Sequence, residues 1–404
     1  MSKNHLIVGL DIGSAAIKSL AVSPGQENSA LEILSQVSEK CLAVRRGVVV
    51  DVDETAQVIS SVLKKTEKEC NQKIEEVFIN IGGSHLFSTN SHGTVAVSRA
   101  DQKISDEDID RVIQAAQTFS LPANREILNV FPKGFIVDGE KDIRHAIDME
   151  GVRLETEILV LGYFVPYMKN LTKAVLNAGF NVAHIVASPL ASARATLNPQ
   201  EKELGVLLLD IGAGTTGFSV YSENVLLTAG VIPIGSFHIT KDIATGLETD
   251  IETAEKIKLE YGSCLLKGAK KIKVKEDASG EILVFSQKRL GQIIDARVLE
   301  ILNQVQKELK KINQVKLPGG AILCGGGANL NKIKDFAKKN LKMTCQLAKI
   351  KGFYPQQKNL NLACVSGLVL TSKDLSDEDN PSLAQTAFQK IKKLLKRILR
   401  SFVP

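Results

Sequence analysis

The sequence predicts an α/β fold in which one domain is duplicated and the two halves face each other across a cleft. Leu-Asp-Ile-Gly occurs twice, at 10–13 and 209–212, and short apolar strands flank both copies. A third glycine-rich turn, at 325–327, separates a predicted strand from a predicted helix. The distance between the two copies far exceeds the roughly 20–50 residues of a solenoid repeat, which indicates duplication of a whole domain.

The composition is typical of a globular protein with more than one domain: 404 residues, 44% of them hydrophobic and 24% charged. The six cysteines are scattered without a Cys-x-x-Cys pair, which argues for reduced thiols and against a zinc site or a disulfide framework. No signal peptide and no apolar run of about 20 residues is found, so we expect a cytoplasmic chain without a membrane-spanning helix. The net charge of +6 is concentrated between 386 and 404, which leaves a neutral body and argues against nucleic-acid binding.

The predicted elements repeat on either side of an insert-like region at 85–161. The first part carries strands at 6–10, 17–22, 31–37 and 77–81 and a helix at 53–70. The insert carries a helix at 106–119, with Ser105 as its N-cap, and strands at 127–131 and 158–161. The second part carries helices at 166–178, 190–197, 236–246, 251–261, 287–313, 328–340 and 360–372, and strands at 182–186, 206–210, 217–221, 271–275, 282–285 and 321–324.

The second loop, residues 212–217, matches G-x-G-x-x-G, but it does not predict a dinucleotide-binding domain. That fingerprint requires the glycines to open a helix, whereas the residues that follow, 218–221, have a strand pattern. A glycine-rich turn between two strands can still bind phosphate, because backbone N–H groups without side chains point inward as an anion nest.

We therefore predict that the two loops bind the phosphates of ATP from opposite sides. The phosphate-binding residues supply backbone donors, hydroxyls and one positive charge: Gly13, Ser14 and Lys18 in the first loop, and Gly212, Gly214, Thr215 and Thr216 in the second. Asp11 and Asp210 each end an apolar strand, and we expect them to face each other and hold Mg²⁺ through its waters, since this ion dehydrates reluctantly. One such loop alone is equally well explained as an ordinary hairpin turn. Two copies and a third glycine turn, which lets a flat adenosine approach the backbone, favour the ATP site.

These motifs resemble the FtsA family of bacterial cell-division proteins, within the actin/Hsp70/sugar-kinase superfamily, over nearly the full chain. The matching stretches are GLDIGSAAIK (9–18), NIGGS (80–84), LLLDIGAGTTGFSVY (207–221), AEKIKLEYG (254–262) and CGGGANL (324–330), with a basic amphipathic end. The resemblance implies an actin-like duplicated ATPase fold, with two domains around a nucleotide cleft and an FtsA-type inserted subdomain. It also implies that adenosine is bound by the third turn and by one charged pair: Gly325, Gly326, Gly327 and Ala328 in the turn, and Glu255 and Lys258 at the ribose or adenine.

Carried onto this sequence, the domain layout of the family predicts six kinds of segment along the chain. They are domain 1A at 1–84, 162–199 and 349–372, the inserted subdomain 1C at 85–161, domain 2A at 200–235 and 301–348, subdomain 2B at 236–300, a flexible linker at 373–384, and an amphipathic membrane-targeting helix at 385–404.

Two departures from the family pattern concern the chemistry. Hydrolysing relatives carry Gln or Glu where this chain has Ser188, and that residue positions the attacking water. Without it, catalysis rests on Mg²⁺ and positioning alone, so we predict tight ATP binding with slow or negligible turnover. Gly235-Ser236 stands where the family often has two glycines, which affects only the phosphate contact at that point.

The C-terminal segment predicts an amphipathic helix that lies on an anionic membrane surface. Its apolar residues recur at spacings of three and four: Phe388, Ile391, Leu394, Leu395, Ile398, Leu399 and Phe402. Six basic residues flank this stripe, and each contributes about 1 kcal/mol beside an anionic leaflet. The alternative is a helix docked on the chain's own body or on a partner, but the acidic linker before it favours an independent membrane anchor.

The resemblance implies several partners at the division septum, on the inner face of the cytoplasmic membrane. The first is the acidic C-terminal tail of tubulin-like FtsZ, bound in subdomain 2B near Arg289 and Arg297, where Lys270, Lys271, Lys273 and Lys275 add positive charge. Further copies of the chain, in filaments, and later division proteins are also implied. Three alternatives remain open from the sequence: a kinase acting on a small-molecule hydroxyl, a PilM-like adaptor of the type IV pilus, and an actin-like filament without an anchor.

Overall fold

The computed structural model describes residues 6–23, 30–119, 121–268, 270–276, 280–312 and 316–379, without side chains for 376–379. The strands of these segments are, in chain order, β1 (Ile7–Ile12), β2 (Ala16–Ser23), β3 (Leu31–Lys40), β4 (Val44–Arg45), β5 (Val48–Val49), β6 (Glu76–Ile81), β7 (Phe87–Ala96), β8 (Arg125–Val137), β9 (Glu140–Ile143), β10 (Arg153–Phe164), β11 (Asn181–Ala187), β12 (Val206–Ile211), β13 (Thr216–Ser222), β14 (Val225–Ile232), β15 (Lys271–Lys275), β16 (Ile282–Ser286), β17 (Gly320–Cys324), β18 (Cys345–Leu347) and β19 (Phe353–Tyr354).

The helices of the same segments are α1 (Val52–Cys70), α2 (Asp106–Gln117), α3 (Val165–Asn177), α4 (Ser188–Thr196), α5 (Pro199–Leu204), α6 (Ser236–Leu247), α7 (Ile251–Tyr261), α8 (Gln287–Lys310), α9 (Ile333–Leu341) and α10 (Ala363–Asp379). Two short 3₁₀ turns occur at Gly326–Asn329 and Leu360–Leu362.

Two sheets repeat the same local arrangement, which confirms the predicted duplication. The first has the order β11-β6-β1-β2-β3-β19 and the second the order β14-β13-β12-β17-β18. In each, an antiparallel hairpin, β1–β2 or β12–β13, has a parallel strand beside its first member, β6 or β17. The register is also the same, since Asp11 lies opposite Lys18 and Asp210 opposite Gly217. The first strands are buried on both faces, which explains their nearly continuous apolar sequence.

The insert forms a separate layer, a sheet of order β7-β10-β8-β9 with α2 packed against it. Ile109, Val112, Ile113 and Ala116 recur at helical spacing, are buried, and face this sheet. The predicted N-cap is confirmed: Ser105 Oγ accepts a hydrogen bond from the backbone N–H of Asp108, and the Asp108 carboxylate accepts one from the backbone N–H of Ser105, which completes a capping box.

Helices α4 and α10 pack closely against each other between the two sheets. A Cβ on Gly367 would lie 1.7 Å from the Ala191 carbonyl oxygen, so the contact requires glycine. Farther along the same two helices, the Arg194 guanidinium donates two hydrogen bonds to the Asp374 carboxylate, at 2.6 and 2.7 Å.

Several predicted boundaries are wrong. The linker does not begin at 373, because α10 continues to Asp379 while Asp374 is held by Arg194. The helix predicted at 328–340 begins only at Ile333, since Lys332 adopts the left-handed conformation with φ of 58°. The predicted domain boundary between 300 and 301 stays a prediction, and it lies within α8, which is one continuous helix. Helix α5 was missed although Asn198, Pro199 and Glu201 form a capping box with proline at N1.

Candidate functional site

The two predicted metal-binding aspartates lie at the ends of equivalent strands, and their charges interact. Asp11 is 6% exposed at the end of β1, and Asp210 holds the same place in β12. Loss of solvent around Asp210 raises its pKa to about 6, the Asp11 charge adds to this rise, and a hydrogen bond from Ser192 opposes it. Two acidic side chains whose charges interact form a donor set that suits a divalent cation holding its own waters.

Lys18 pairs with Asp11 rather than standing alone toward the cleft. Its Nζ lies 3.0 Å from Asp11 Oδ2 across the β1–β2 hairpin. Burial alone would lower the pKa of Lys18, but the charge and hydrogen bond of Asp11 raise it above its ordinary value. The side chain is 21% exposed, so its positive charge remains beside the first loop while it orients the carboxylate.

Asn80, at the end of β6, is a site residue to which the sequence analysis assigned no role. Its amide nitrogen donates to Asp11 Oδ1 at 2.8 Å and to Ser188 Oγ at 3.0 Å. Its Oδ1 accepts from the backbone N–H of Ile12 at 2.7 Å. The sequence does carry a signal for this role, because Asn80 is a polar residue at the end of an apolar strand and belongs to the NIGGS motif.

Ser192 was also missed, and nothing in its sequence neighbourhood marks it. It is fully buried in α4, and its hydroxyl donates to Asp210 Oδ2 at 2.5 Å. Asn80 and Ser192 therefore fix the orientation of one aspartate each.

The three glycine turns lie close to these aspartates and to one another. A Cβ on Gly214 would lie 2.7 Å from Ser14 Oγ, which places the second loop against the first. Gly325 has a φ of +81°, and a Cβ there would lie 2.3 Å from Asp210 Oδ1. Gly327 packs equally closely on Ile211, and Ala328 is buried behind it. The absence of side chains at these points allows the turns to pack this closely on Ser14, Asp210 and Ile211.

Some of the predicted phosphate-binding groups already make hydrogen bonds inside the protein. The backbone N–H of Gly13 bonds to the Ala16 carbonyl at 3.2 Å, and that of Gly212 to the Thr215 carbonyl at 2.9 Å. The Thr216 hydroxyl donates to the Ile234 carbonyl at 2.7 Å. Ser14 Oγ accepts from the backbone N–H of Gly47 at 2.9 Å. These bonds fix the shape of the two loops.

Glu255 and Lys258 form a charged cluster with α6. Lys258 Nζ lies 2.6 Å from Glu255 Oε2 and donates to Thr240 Oγ1 at 2.9 Å. The end of α7 is joined to the third turn, because the backbone N–H of Cys264 donates to the Asn331 carbonyl at 2.9 Å. The predicted adenosine residues thus belong to two connected elements.

The two predicted partner-binding arginines both point at α6. Arg297 makes a bidentate pair with Asp242, at 2.5 and 2.7 Å, and a second pair with Glu300. Arg289 donates to the Gly246 carbonyl near the end of α6. The positive charge of Arg297 is therefore balanced within the chain, whereas Lys271, Lys273 and Lys275 are exposed along β15.

The predicted membrane residues, Phe388 to Phe402, lie outside the described residues. Within the described part of the chain, no helix is long and apolar enough to cross a membrane.

Comparison with known proteins matches two family models. Residues 83–161 match the SHS2 domain inserted in FtsA, and residues 207–403 match cell division protein FtsA. These matches cover the inserted sheet and most of the second half of the chain.

Curated relatives extend the match to the first half. The chain is 32% identical over 351 residues to cell division protein FtsA of Pseudomonas aeruginosa, covering 86% of this chain and 84% of the relative. It is 33% identical over 408 residues to that of Borreliella burgdorferi, covering 99% and 96%.

Among solved structures, the fold is similar to the PilM–PilN type IV pilus biogenesis complex, with a TM-score of 0.65 and 17% identity over 91% of this chain and 99% of that chain. It is also similar to MreB5 of Spiroplasma citri bound to ADP, with a TM-score of 0.57 and 15% identity over 94% and 99%. These likenesses confirm the actin-like fold. The full-length sequence relatives and the family models show that this chain belongs to the FtsA family of cell-division proteins.

Proposed function

We propose that this chain binds Mg-ATP between its two domains and tethers the FtsZ ring to the inner face of the cytoplasmic membrane. The observation that carries the proposal is the placing of Asp11 and Asp210 at the ends of equivalent strands, within reach of each other's charge and beside three glycine turns. Membership of the FtsA family supplies the cellular role.

The residues around the cleft suit ATP and a magnesium ion. Asp11 and Asp210 would hold the ion, which neutralises phosphate charge when bound. Asn80 and Lys18 orient the first carboxylate, and Ser192 orients the second. Two domains that meet through one such site can change their relative position with the nucleotide, so the site is suited to a switch.

Slow or negligible hydrolysis is part of the proposal. Ser188 Oγ accepts from Asn80 at 3.0 Å and donates to the Ile81 carbonyl at 3.2 Å. Because its hydroxyl hydrogen is already donated to Ile81, Ser188 is poorly suited to orient an attacking water. Phosphate release from the purified protein should be slow while ATP binding is readily measured. Rapid turnover would mean that another residue positions the water.

The membrane part of the proposal rests on the amphipathic pattern of 385–404. Co-sedimentation with anionic vesicles tests it on the full chain and on a chain ending at Ala384. Leu395→Glu places a charge in the apolar stripe and should abolish binding, whereas Gln389→Glu adds the same charge on the opposite face and should weaken it only slightly. Full-length protein that stays off anionic vesicles would refute the anchor.

The proposed partner is the acidic C-terminal tail of FtsZ, which binds in subdomain 2B. Since Arg297 is paired with Asp242, an acidic peptide has to compete for it, and the exposed β15 lysines and Arg289 are more available. Binding of a labelled FtsZ tail peptide can be measured by fluorescence polarisation. Its affinity should fall with Lys273→Glu and with Arg289→Glu, and should stay unchanged with the control Lys64→Glu on α1. If the chain binds vesicles but not the peptide, FtsZ is not its partner, and the chain is a membrane adaptor for another protein. Self-association and recruitment of later division proteins are proposed on family grounds alone.

A further inference from the structure

The tip of a small hairpin lies where the two phosphate loops meet. Strands β4 and β5 pair, and the residues between them, Arg46 and Gly47, both adopt the left-handed conformation, with φ of 50° and 73°. This sharp turn aims the tip toward the first loop, where the Gly47 N–H donates to Ser14 Oγ at 2.9 Å. The hairpin is therefore attached to a loop proposed to bind phosphate.

Close packing fixes the tip against three other turns. A Cβ on Gly47 would lie 2.4 Å from the Gly82 carbonyl oxygen, at the end of β6. A Cβ on Gly214 would lie 3.2 Å from the backbone nitrogen of Arg46. The tip thus contacts the loops of both domains, so a shift of one domain against the other would move Arg46 relative to one of the loops.

The Arg46 side chain is exposed, and within the described residues no carboxylate lies within ion-pair distance of it. Its charge reaches His238, in the first turn of α6: burial lowers the pKa of His238, and the positive charges of Arg297, Lys241 and Arg46 lower it further. A guanidinium close to a helix N-terminus is electrostatically unfavourable, because that end carries partial positive charge. The backbone N–H groups of Ser236 and Phe237 already donate to the Gly212 and Ala213 carbonyls of the second loop, at 2.8 and 2.9 Å. An anion bound beside Arg46 would therefore be held by the guanidinium, and it would offset that positive charge.

We propose that Arg46 binds the terminal phosphate of ATP and makes the site prefer ATP over ADP. The inference rests on the ATP site proposed above. A guanidinium presents a planar fork of N–H donors that matches phosphate oxygens, and ADP offers no phosphate at the γ position. The hairpin tip that carries Arg46 contacts both loops, which connects the presence of that phosphate to the relative position of the two domains.

The test is the affinity of the full chain for ATP and for ADP, each with Mg²⁺, by isothermal titration calorimetry. Arg46→Gln should weaken ATP binding about 10–100-fold, as expected for loss of a hydrogen bond between charged groups, and leave ADP binding within about twofold. Arg46→Lys should give a smaller loss, since it keeps the charge without the fork. Arg45→Gln is the matched control, because Arg45 is adjacent and exposed, and it should change neither affinity.

Equal losses for ATP and ADP in Arg46→Gln, or an unchanged ratio, would overturn the inference and leave the ATP site intact. A wild-type chain that binds neither nucleotide would overturn the ATP site itself. Circular dichroism of each variant verifies folding, and Arg46→Lys retains a test if the Gln variant is unstable.

Discussion

Replacing Asn80 with alanine removes the bond network that fixes Asp11, and its cost follows from the contacts. The substitution leaves the buried backbone N–H of Ile12 without its acceptor, which costs about 1–3 kcal/mol. It also removes the donor to Asp11 Oδ1, and a hydrogen bond to a charged group contributes about 1.5–3 kcal/mol. Ser188 keeps its bond to the Ile81 carbonyl. Together these two contributions should lower the free energy of unfolding of the first domain by about 2.5–6 kcal/mol.

Urea unfolding followed by circular dichroism measures this loss without nucleotide. Asn90→Ala is the matched control, because Asn90 is an exposed asparagine on a strand, β7, and makes no described side-chain bond. That variant should change the free energy of unfolding by less than about 0.5 kcal/mol. A loss below about 1 kcal/mol in Asn80→Ala would refute the reasoning, since it would mean that water or a neighbour replaces the amide.

Three further perturbations test other parts of the structure. Leu208→Ala opens a cavity in the centre of the second sheet, where Leu208 is fully buried, and should cost about 2–5 kcal/mol in urea unfolding. Burial alone would raise the pKa of Asp108, but hydrogen bonds from Ser105 and Arg111 hold it well below its ordinary value. The Asp108 carboxylate therefore contributes to the free energy of unfolding above about pH 4, and this contribution is lost as the pH falls below that value. Asp108→Asn should cost about 1.5–3 kcal/mol at pH 7, and its difference from wild type should narrow in unfolding curves below pH 4. A double-mutant cycle of Arg297→Gln and Asp242→Asn should give a coupling of about 1 kcal/mol, since the pair is bidentate but partly exposed; zero coupling would show that the pair contributes nothing.

Patterns along the chain were sufficient to predict the frame of the molecule. The repeated Leu-Asp-Ile-Gly loops predicted two equivalent hairpins, and the same register of Asp11 and Asp210 confirms this. Strands buried on both faces and amphipathic helices such as α2 can be read from local sequence, because their periodicity reflects which face meets the core. The Ser105 cap was predictable for the same reason, since its bonds reach only three residues ahead.

Partners that are distant in sequence were decided by the tertiary structure. Asn80 and Asp11 are 69 residues apart, and no local pattern shows that β6 lies beside β1. Likewise, the choice of Asp242 as partner for Arg297, and of Asp374 for Arg194, depends on which helices pack together. The sequence by itself therefore determined the repeated loops and the acidic side chains that end their strands. The tertiary structure decided how those side chains are held, because hydrogen bonds act over about 3 Å in space whatever the distance along the chain.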